Sequence, residues 1–289
     1  MAEFDSKILS SCYINFLFGA GVNGQAFPQL AKFEKTYLFM KKKHKDFENK
    51  SFEELFDTLN KKDRERAREI FIDEFKNKHN LIDWNNESIK NLEELLSLTY
   101  KLVYEAENRI DAMNQINIFT ANYDFIVEEL LKKLGYLSNY VSASNLVSND
   151  KFFNIVGHDY SLKRKIPTFL VSKIHGDISN PVLPGNDKYD AILTPNKFEI
   201  MFKMKEKLSR FNSILFVIGY SGRDEHINRI LKDCVQSGLT IYWFKYSEKD
   251  YVPEELKTKT IIIDNEDKVD TTKVFSKELS LLWEKSLVK

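Results

Sequence analysis

The chain has 289 residues, and its 43 Lys+Arg balance 43 Asp+Glu for a formal net charge of zero. A hydrophobic share of 43% with 30% charged residues excludes a disordered chain, and the neutral balance lacks the basic surplus of a nucleic-acid or membrane-surface binder. Only two cysteines occur, Cys12 and Cys234, far apart in sequence, which excludes a four-cysteine zinc site and argues against a disulfide framework.

At about 100–200 residues per domain, this length allows one large domain or two small ones. No stretch approaches the roughly 18 consecutive apolar residues of a membrane span. Met1 to Lys7 carries Glu3 and Asp5 and opens no apolar core of a signal peptide. A cytoplasmic protein is expected.

In chain order, the first short apolar run is Tyr13–Phe18, followed at once by Phe18-Gly19-Ala20-Gly21-Val22-Asn23-Gly24. Glycine lets a backbone turn sharply and approach a ligand, so amides at Gly19 and Gly21 can meet a pyrophosphate. A plain tight turn is the alternative, and Gly24 does not stand at the spacing of the full dinucleotide fingerprint. From Gln29 to Met113 the chain is almost free of Gly and Pro. Leu92, Leu95, Leu96 and Leu102 recur there at helical spacing, which predicts three or four helices in a subdomain packed beside a sheet.

Further buried strands are predicted at Ile116–Thr120, Thr168–Ile174, Ile214–Tyr220, Leu239–Phe244 and Thr260–Ile263. None alternates cleanly, which suits a parallel sheet covered on both faces. Amphipathic stretches at Phe125–Leu134, Lys197–Ser209 and Glu225–Gln236 follow several of them, and Phe275–Leu287 reads as a closing helix. Strand followed by helix, repeated, predicts a doubly wound, Rossmann-like α/β sheet. Ser138–Asp150 and Ile178–Tyr189 read as polar, turn-rich loops.

Three further motifs close predicted strands. In Thr120-Ala121-Asn122-Tyr123-Asp124, Asn122 and Asp124 stand where side chains point into a ligand crevice, or where they cap the next helix. In Lys173-Ile174-His175-Gly176-Asp177, His175 is placed to act as a general base, or is a satisfied structural histidine. In Ile218-Gly219-Tyr220-Ser221-Gly222-Arg223-Asp224, Gly219 and Ser221 can approach a ribose or adenine. Asp224 either contacts a hydroxyl or caps the following helix.

Taken in this order, GAG, T-x-N-Y-D, K-x-HGD and IGYS-x-x-D resemble the sirtuin-like NAD-binding domain in its bacterial antiviral-defence branch. That branch includes the effector domain of Thoeris systems and the sirtuin-like halves of other abortive-infection systems. The resemblance runs from about Ser11 to Tyr246 and implies one sirtuin-like domain over residues 1–289, with a helical insertion subdomain at 29–113. It implies that Gly19, Ala20, Gly21 and Asn23 line NAD+, and that Asn122 orders the attacking water. It likewise implies that Asp124 holds that loop and that His175 is the catalytic histidine. Gly219 and Ser221 would contact the adenosine half, with Asp224 bracing their loop.

The departures shape the expectation. The protein-deacylating members carry a zinc ribbon of two CxxC pairs, and this chain has no CxxC; they also follow GAG with GIP-x-F-R, where Gly24-Gln25-Ala26-Phe27-Pro28 stands here. Water becomes the natural acceptor, with NAD+ as substrate and no metal. The resemblance thus implies an NAD+ glycohydrolase of an anti-phage system. A protein ADP-ribosyltransferase or deacylase, or a non-catalytic NAD sensor, is the alternative. The chain ends at Lys289 with no second sensing domain in view. Gating is therefore expected from a homo-oligomer or from a complex with a separate sensor subunit, as in Kongming-type pairs, docked on the helical segment.

The remaining histidines read more plainly. His44, His79 and His226 are expected on the surface, and His158 in a loop that can lie near the site. Lys41-Lys42-Lys43 with Lys45 reads as a solvated helix end, and Cys12 and Cys234 as small buried hydrophobes. Trp84, Trp243 and Trp283 read as core or interface anchors. Ala191-Ile192-Leu193-Thr194 resembles the family's segment after HGD and is expected in a lid.

Overall fold

A computed structural model describes residues 11–43, 52–104, 115–136, 138–142, 169–179, 181–182, 195–246, 251–265, 270–277 and 280. His44, His158, Trp283, the segment Ala191–Thr194 and most of Phe275–Leu287 lie outside these residues.

Among the described residues seven strands form one sheet: β1 (Tyr13–Phe18), β2 (Ile116–Thr120), β3 (Ser138–Ser142), β4 (Phe169–Lys173), β5 (Ser213–Ile218), β6 (Thr240–Phe244) and β7 (Thr260–Ile263). Their order across the sheet is β3-β4-β2-β1-β5-β6-β7, and every neighbouring pair is parallel. The chain starts at the centre, builds one half, then returns beside β1 to build the other. The reversal falls between β1 and β5, and ligands of open α/β sheets bind in the crevice outside the carboxyl ends of such strands.

The apolar runs fail to alternate because both faces are buried. Phe16, Phe18, Ile118, Phe216 and Ile218 enter one core, while Leu17, Phe119, Leu215, Val217 and Trp243 enter the other. Successive residues of a strand point to opposite faces, so a sheet covered twice favours apolar side chains at successive positions.

Between β1 and β2 lie α1 (Glu34–Lys41), α2 (Phe52–Asp57), α3 (Lys61–Asn80) and α4 (Glu87–Tyr104). They are not a satellite with a core of its own. Phe33, Phe71, Phe75, Leu92 and Leu96 join Phe16 and Ile118 in a single cluster on one face. The opposite face is covered by α6 (Pro195–Leu208), α7 (Glu225–Gln236) and α8 (Glu254–Lys257), through Ile200, Met204, Leu231 and Leu256. The remaining helix, α5 (Ile126–Lys133), follows β2 and packs into the first core, and residues 271–277 are helical as well.

One strand departs from expectation. Ser138–Ser142, read as the start of a polar loop, is edge strand β3 and pairs with β4. An edge strand has one partner, and its Ser-Asn-Tyr-Val-Ser composition lacks the apolar run that marked the inner strands. Cys12 and Cys234 are both buried thiols in opposite cores, so they share no site. Trp243 is a core anchor, whereas Trp84 is exposed at the surface. Among the described residues no helix is long and apolar enough to cross a membrane.

One buried acid ties α1 to α3 within the helical segment. Glu74 of α3 is 5% exposed. Its Oε2 accepts from the Thr36 amide at 3.0 Å and the Thr36 hydroxyl at 2.9 Å, and its Oε1 accepts from the Lys35 amide at 3.2 Å. Those amides belong to the first turn of α1, where no intrahelical acceptor exists and Phe33 offers no side-chain cap. Glu74→Ala should therefore lower unfolding free energy by about 2–3 kcal/mol, measured by urea titration. Glu74→Gln, which keeps one acceptor oxygen, should lose less.

Candidate active site

Four loops meet outside the carboxyl ends of β1, β2, β4 and β5. The first turns directly after β1, and Ala20–Asn23 forms a single 3-10 turn. Its glycines are required by the loop after β5. A Cβ on Gly19 would stand 2.4 Å from the Gly219 carbonyl oxygen, and one on Gly219 would stand 2.1 Å from the Val22 nitrogen. Gly219 also adopts φ 66, in the left-handed region. The Gly19 amide donates to the Ile218 carbonyl at 3.1 Å and the Gly21 amide to the Gly219 carbonyl at 2.9 Å. In this structure those two nitrogens hold the loops together, and Ala20 and Ser221 are the exposed residues on either side.

The loop after β2 is tied to this turn twice. Asn122, 8% exposed, donates from Nδ2 to the Gly19 carbonyl at 3.1 Å, and its own amide donates to Thr120 Oγ1 at 3.0 Å. Among the described residues no donor reaches its Oδ1. Buried Asn23 donates from Nδ2 to Asp124 Oδ2 at 2.8 Å, while Asp124 Oδ1 accepts from the Ile126 amide, the first of α5, at 3.1 Å. Of the two capping candidates, Asp124 reaches the first amide of α5 from one residue before the N-cap position, Phe125, and Asn122 does not.

His175 lies two residues beyond β4 and is 7% exposed. Its Nε2 stands 2.8 Å from Asp224 Oδ2, an ion pair whenever the ring is protonated. The other oxygen of the same carboxylate accepts from the His226 and Ile227 amides at 3.0 and 3.2 Å and caps α7. Asp224 thus caps α7, and its contact to His175 is one that neither sequence reading anticipated. Tyr220 reinforces the loop: its hydroxyl accepts from the Asp224 amide at 3.2 Å and lies 3.1 Å from Asn228 Oδ1. The β2 and β4 loops are laced together as well. The Ile178 amide donates to the Tyr123 carbonyl at 3.0 Å, and the Tyr123 hydroxyl donates to the Val182 carbonyl at 2.8 Å.

The helical segment reaches this lacing. Phe71 and Phe75 of α3 meet the Tyr123 ring edge-on, with centroids 5.9 and 6.2 Å away. His79, expected on the surface, is half-buried against Phe27 and Phe125, and its Nε2 accepts from the Phe125 amide at 3.4 Å. Burial is the largest influence on its ring and holds its pKa below the ordinary 6.5, against the raising pull of Asp124. The spacing Phe71, Phe75, His79 places all three on one helix face, a signal that the charged neighbours in sequence obscured. His226 is half-buried beside the Asp224 cap.

A model of the SIR2-like domain matches residues 116–263. The chain belongs to the SIR2-like family. That match spans the loops of Asn122, His175 and Asp224, while the Gly19 turn precedes it. Among solved structures, the crystal structure of a Sir2 homologue in complex with NAD superposes with a TM-score of 0.50 at 12% identity, over 98% of this chain and 96% of that one. A second, described as a structural basis for the mechanism and regulation of Sir2 enzymes, gives 0.47 at 13% identity, over 96% of each chain. The first likeness shows the fold this SIR2-like chain adopts. No curated protein matches it.

Two outcomes follow for this SIR2-like site. Gly219→Ala, strained at φ 66 and driven into the Val22 nitrogen, should destabilise the fold by more than about 2 kcal/mol, read by thermal and urea unfolding. The neutral His79 ring accepts from Phe125, and protonation removes that acceptor. Because its folded pKa is lowered, its contribution is present above the unfolded value of about 6.5 and is lost as pH falls through the folded value. The urea midpoint of the wild-type chain should therefore drop more between about pH 7.5 and about pH 5 than that of His79→Gln.

Proposed function

We propose that this SIR2-like chain is an NAD+ glycohydrolase, splitting the dinucleotide into nicotinamide and ADP-ribose. The observation that carries the reading is the His175–Asp224 contact at 2.8 Å, set across the strand ends from Asn122. The residues around it suit a dinucleotide. Side-chain-free turns at Gly19, Gly21 and Gly219 flank the β1/β5 reversal, Ser221 offers an exposed hydroxyl, and Asn122 Oδ1 remains able to accept.

The chemistry needs little from the protein beyond orientation. Nicotinamide departs with the electron pair of its bond to C1′, becoming a neutral molecule from a cationic pyridinium, so no acid need protonate it. Positive charge develops on the ribose, as in glycoside cleavage. Asn122 holds the water or a ribose hydroxyl through its Oδ1. His175 takes the proton of the attacking water, and the Asp224 carboxylate at its Nε2 orients the ring and stabilises the imidazolium that results. With no CxxC pair in the sequence, nothing here builds the zinc ribbon of the protein-deacylating relatives, which favours water as acceptor.

The same reading extends to an anti-phage abortive-infection effector. An open NADase would exhaust its own cell, so activity waits on self-assembly or on a separate sensor subunit. Helices α1–α4 are the docking surface this reading assigns, because Phe71, Phe75 and His79 touch Tyr123 and Phe125 in the loop of Asn122.

The test is incubation with NAD+, alone and with the products of neighbouring genes, reading nicotinamide and ADP-ribose by chromatography. His175→Ala and Asn122→Ala should each lower cleavage by about 10²–10⁴-fold while remaining folded. Asp224→Asn retains an α7 cap and should keep its melting temperature, yet lose about tenfold or more in rate. Near-wild-type cleavage by His175→Ala would overturn the assignment, and NAD+ bound but never cleaved would leave only a sensor.

A further inference from the structure

Lys173 ends β4, two residues before His175, and is 1% exposed. A lysine is almost never this buried unless its ammonium is paired. Its Nζ donates to the Asp124 carbonyl and to Glu128 Oε1, the latter at 3.0 Å, and lies 5.0 Å from the centre of the Phe125 ring. Glu128 stands in the first turn of α5. Burial raises its pKa against the pull of Lys173. The side chain of Asp124 is already engaged by Asn23 and Ile126, so the bond from Lys173 acts on the backbone of the loop itself.

The three-residue stretch Lys173–His175 thus reaches in two directions. Lys173 pairs in register with Thr120 of β2 and grips the loop that carries Asn122. His175 meets Asp224 beyond β5. This short piece of backbone thus joins the loop of the amide to the base. Resting on the NAD+ glycohydrolase reading above, we propose that Lys173 is a positioning residue for hydrolysis: it pins the Asp124 carbonyl and so fixes Asn122 relative to His175. Glu128 neutralises the ammonium. Its carboxylate offsets part of the desolvation cost of burying that charge.

Removing Lys173 alone would leave Glu128 buried without its cation and endanger folding. The informative variant is therefore Lys173→Met/Glu128→Gln, which is neutral and close in volume, compared with Glu128→Gln alone and with the wild-type chain. The double variant should keep its melting temperature and lose kcat on the order of a hundredfold, the scale of a small misplacement of reacting groups, with KM for NAD+ little changed. Glu128→Gln keeps the grip on the Asp124 carbonyl and should lose less. Hydrogen exchange of amides in residues 122–126 should quicken in the double variant while the rest of the sheet is unchanged.

Wild-type kcat in the folded double variant, a loss confined to KM, or an equal loss in Glu128→Gln would overturn the proposal. Unchanged exchange at residues 122–126 would do so too. If the wild-type chain cleaves no NAD+ under any condition, the functional reading fails, while the exchange comparison, which needs no turnover, still decides whether Lys173 holds the loop.

Discussion

Backbone meets backbone where the loops after β1 and β5 cross, and the rest of the site is arranged around that contact. Gly19, Gly21 and Gly219 permit it, since a single Cβ on Gly219 would fall 2.1 Å from the Val22 nitrogen. The approach closes the floor of the crevice at the reversal of the sheet. It also leaves the Gly19 carbonyl facing Asn122, whose Nδ2 takes it at 3.1 Å. From there the order spreads outward through Asn23 to Asp124, through Tyr123 to the loop after β4, and through His175 to Asp224.

Carboxylates do double service throughout. Asp124 takes the first amide of α5 with one oxygen and holds Asn23 with the other, and Asp224 caps α7 with one and meets His175 with the other. A group locked at both oxygens has little rotational freedom left to lose when a ligand arrives, which is what preorganisation means in a polar site. The same economy explains why capping and chemistry looked like rivals in the sequence. Motif spacing reveals that an acid precedes a helix; it does not reveal what lies beyond its second oxygen.

Legibility followed the physics of burial. Six strands were visible because a sheet covered on both faces demands runs of Ile, Val, Phe and Tyr, and these are rare elsewhere in the chain. β3 was hidden because an edge strand is defined by its hydrogen-bond partner more than by its composition. Asn122, His175 and Asp224 were visible as strand-end residues, but their distances were not, because β4 and β5 lie on opposite sides of the β2–β1 pair. His79 was misjudged from its charged neighbours, although its spacing from Phe71 and Phe75 places it on the inner face of α3. Lys173 was visible as a letter in a motif and silent as to role, since its partners come from another loop.

The order of the strands bears on what can count as a unit of this protein. Residues 116–263, the part the family model recognises, include six of the seven strands but omit β1, the one between β2 and β5. Lifted out alone, that part would hold two three-stranded half-sheets, β3-β4-β2 and β5-β6-β7, each with a long apolar flank bare of hydrogen-bond partners. Such flanks seek other strands and aggregate. The most recognisable portion of the chain is thus not separable from the portion before it: the keystone of the arch lies outside the signature by which the arch is known.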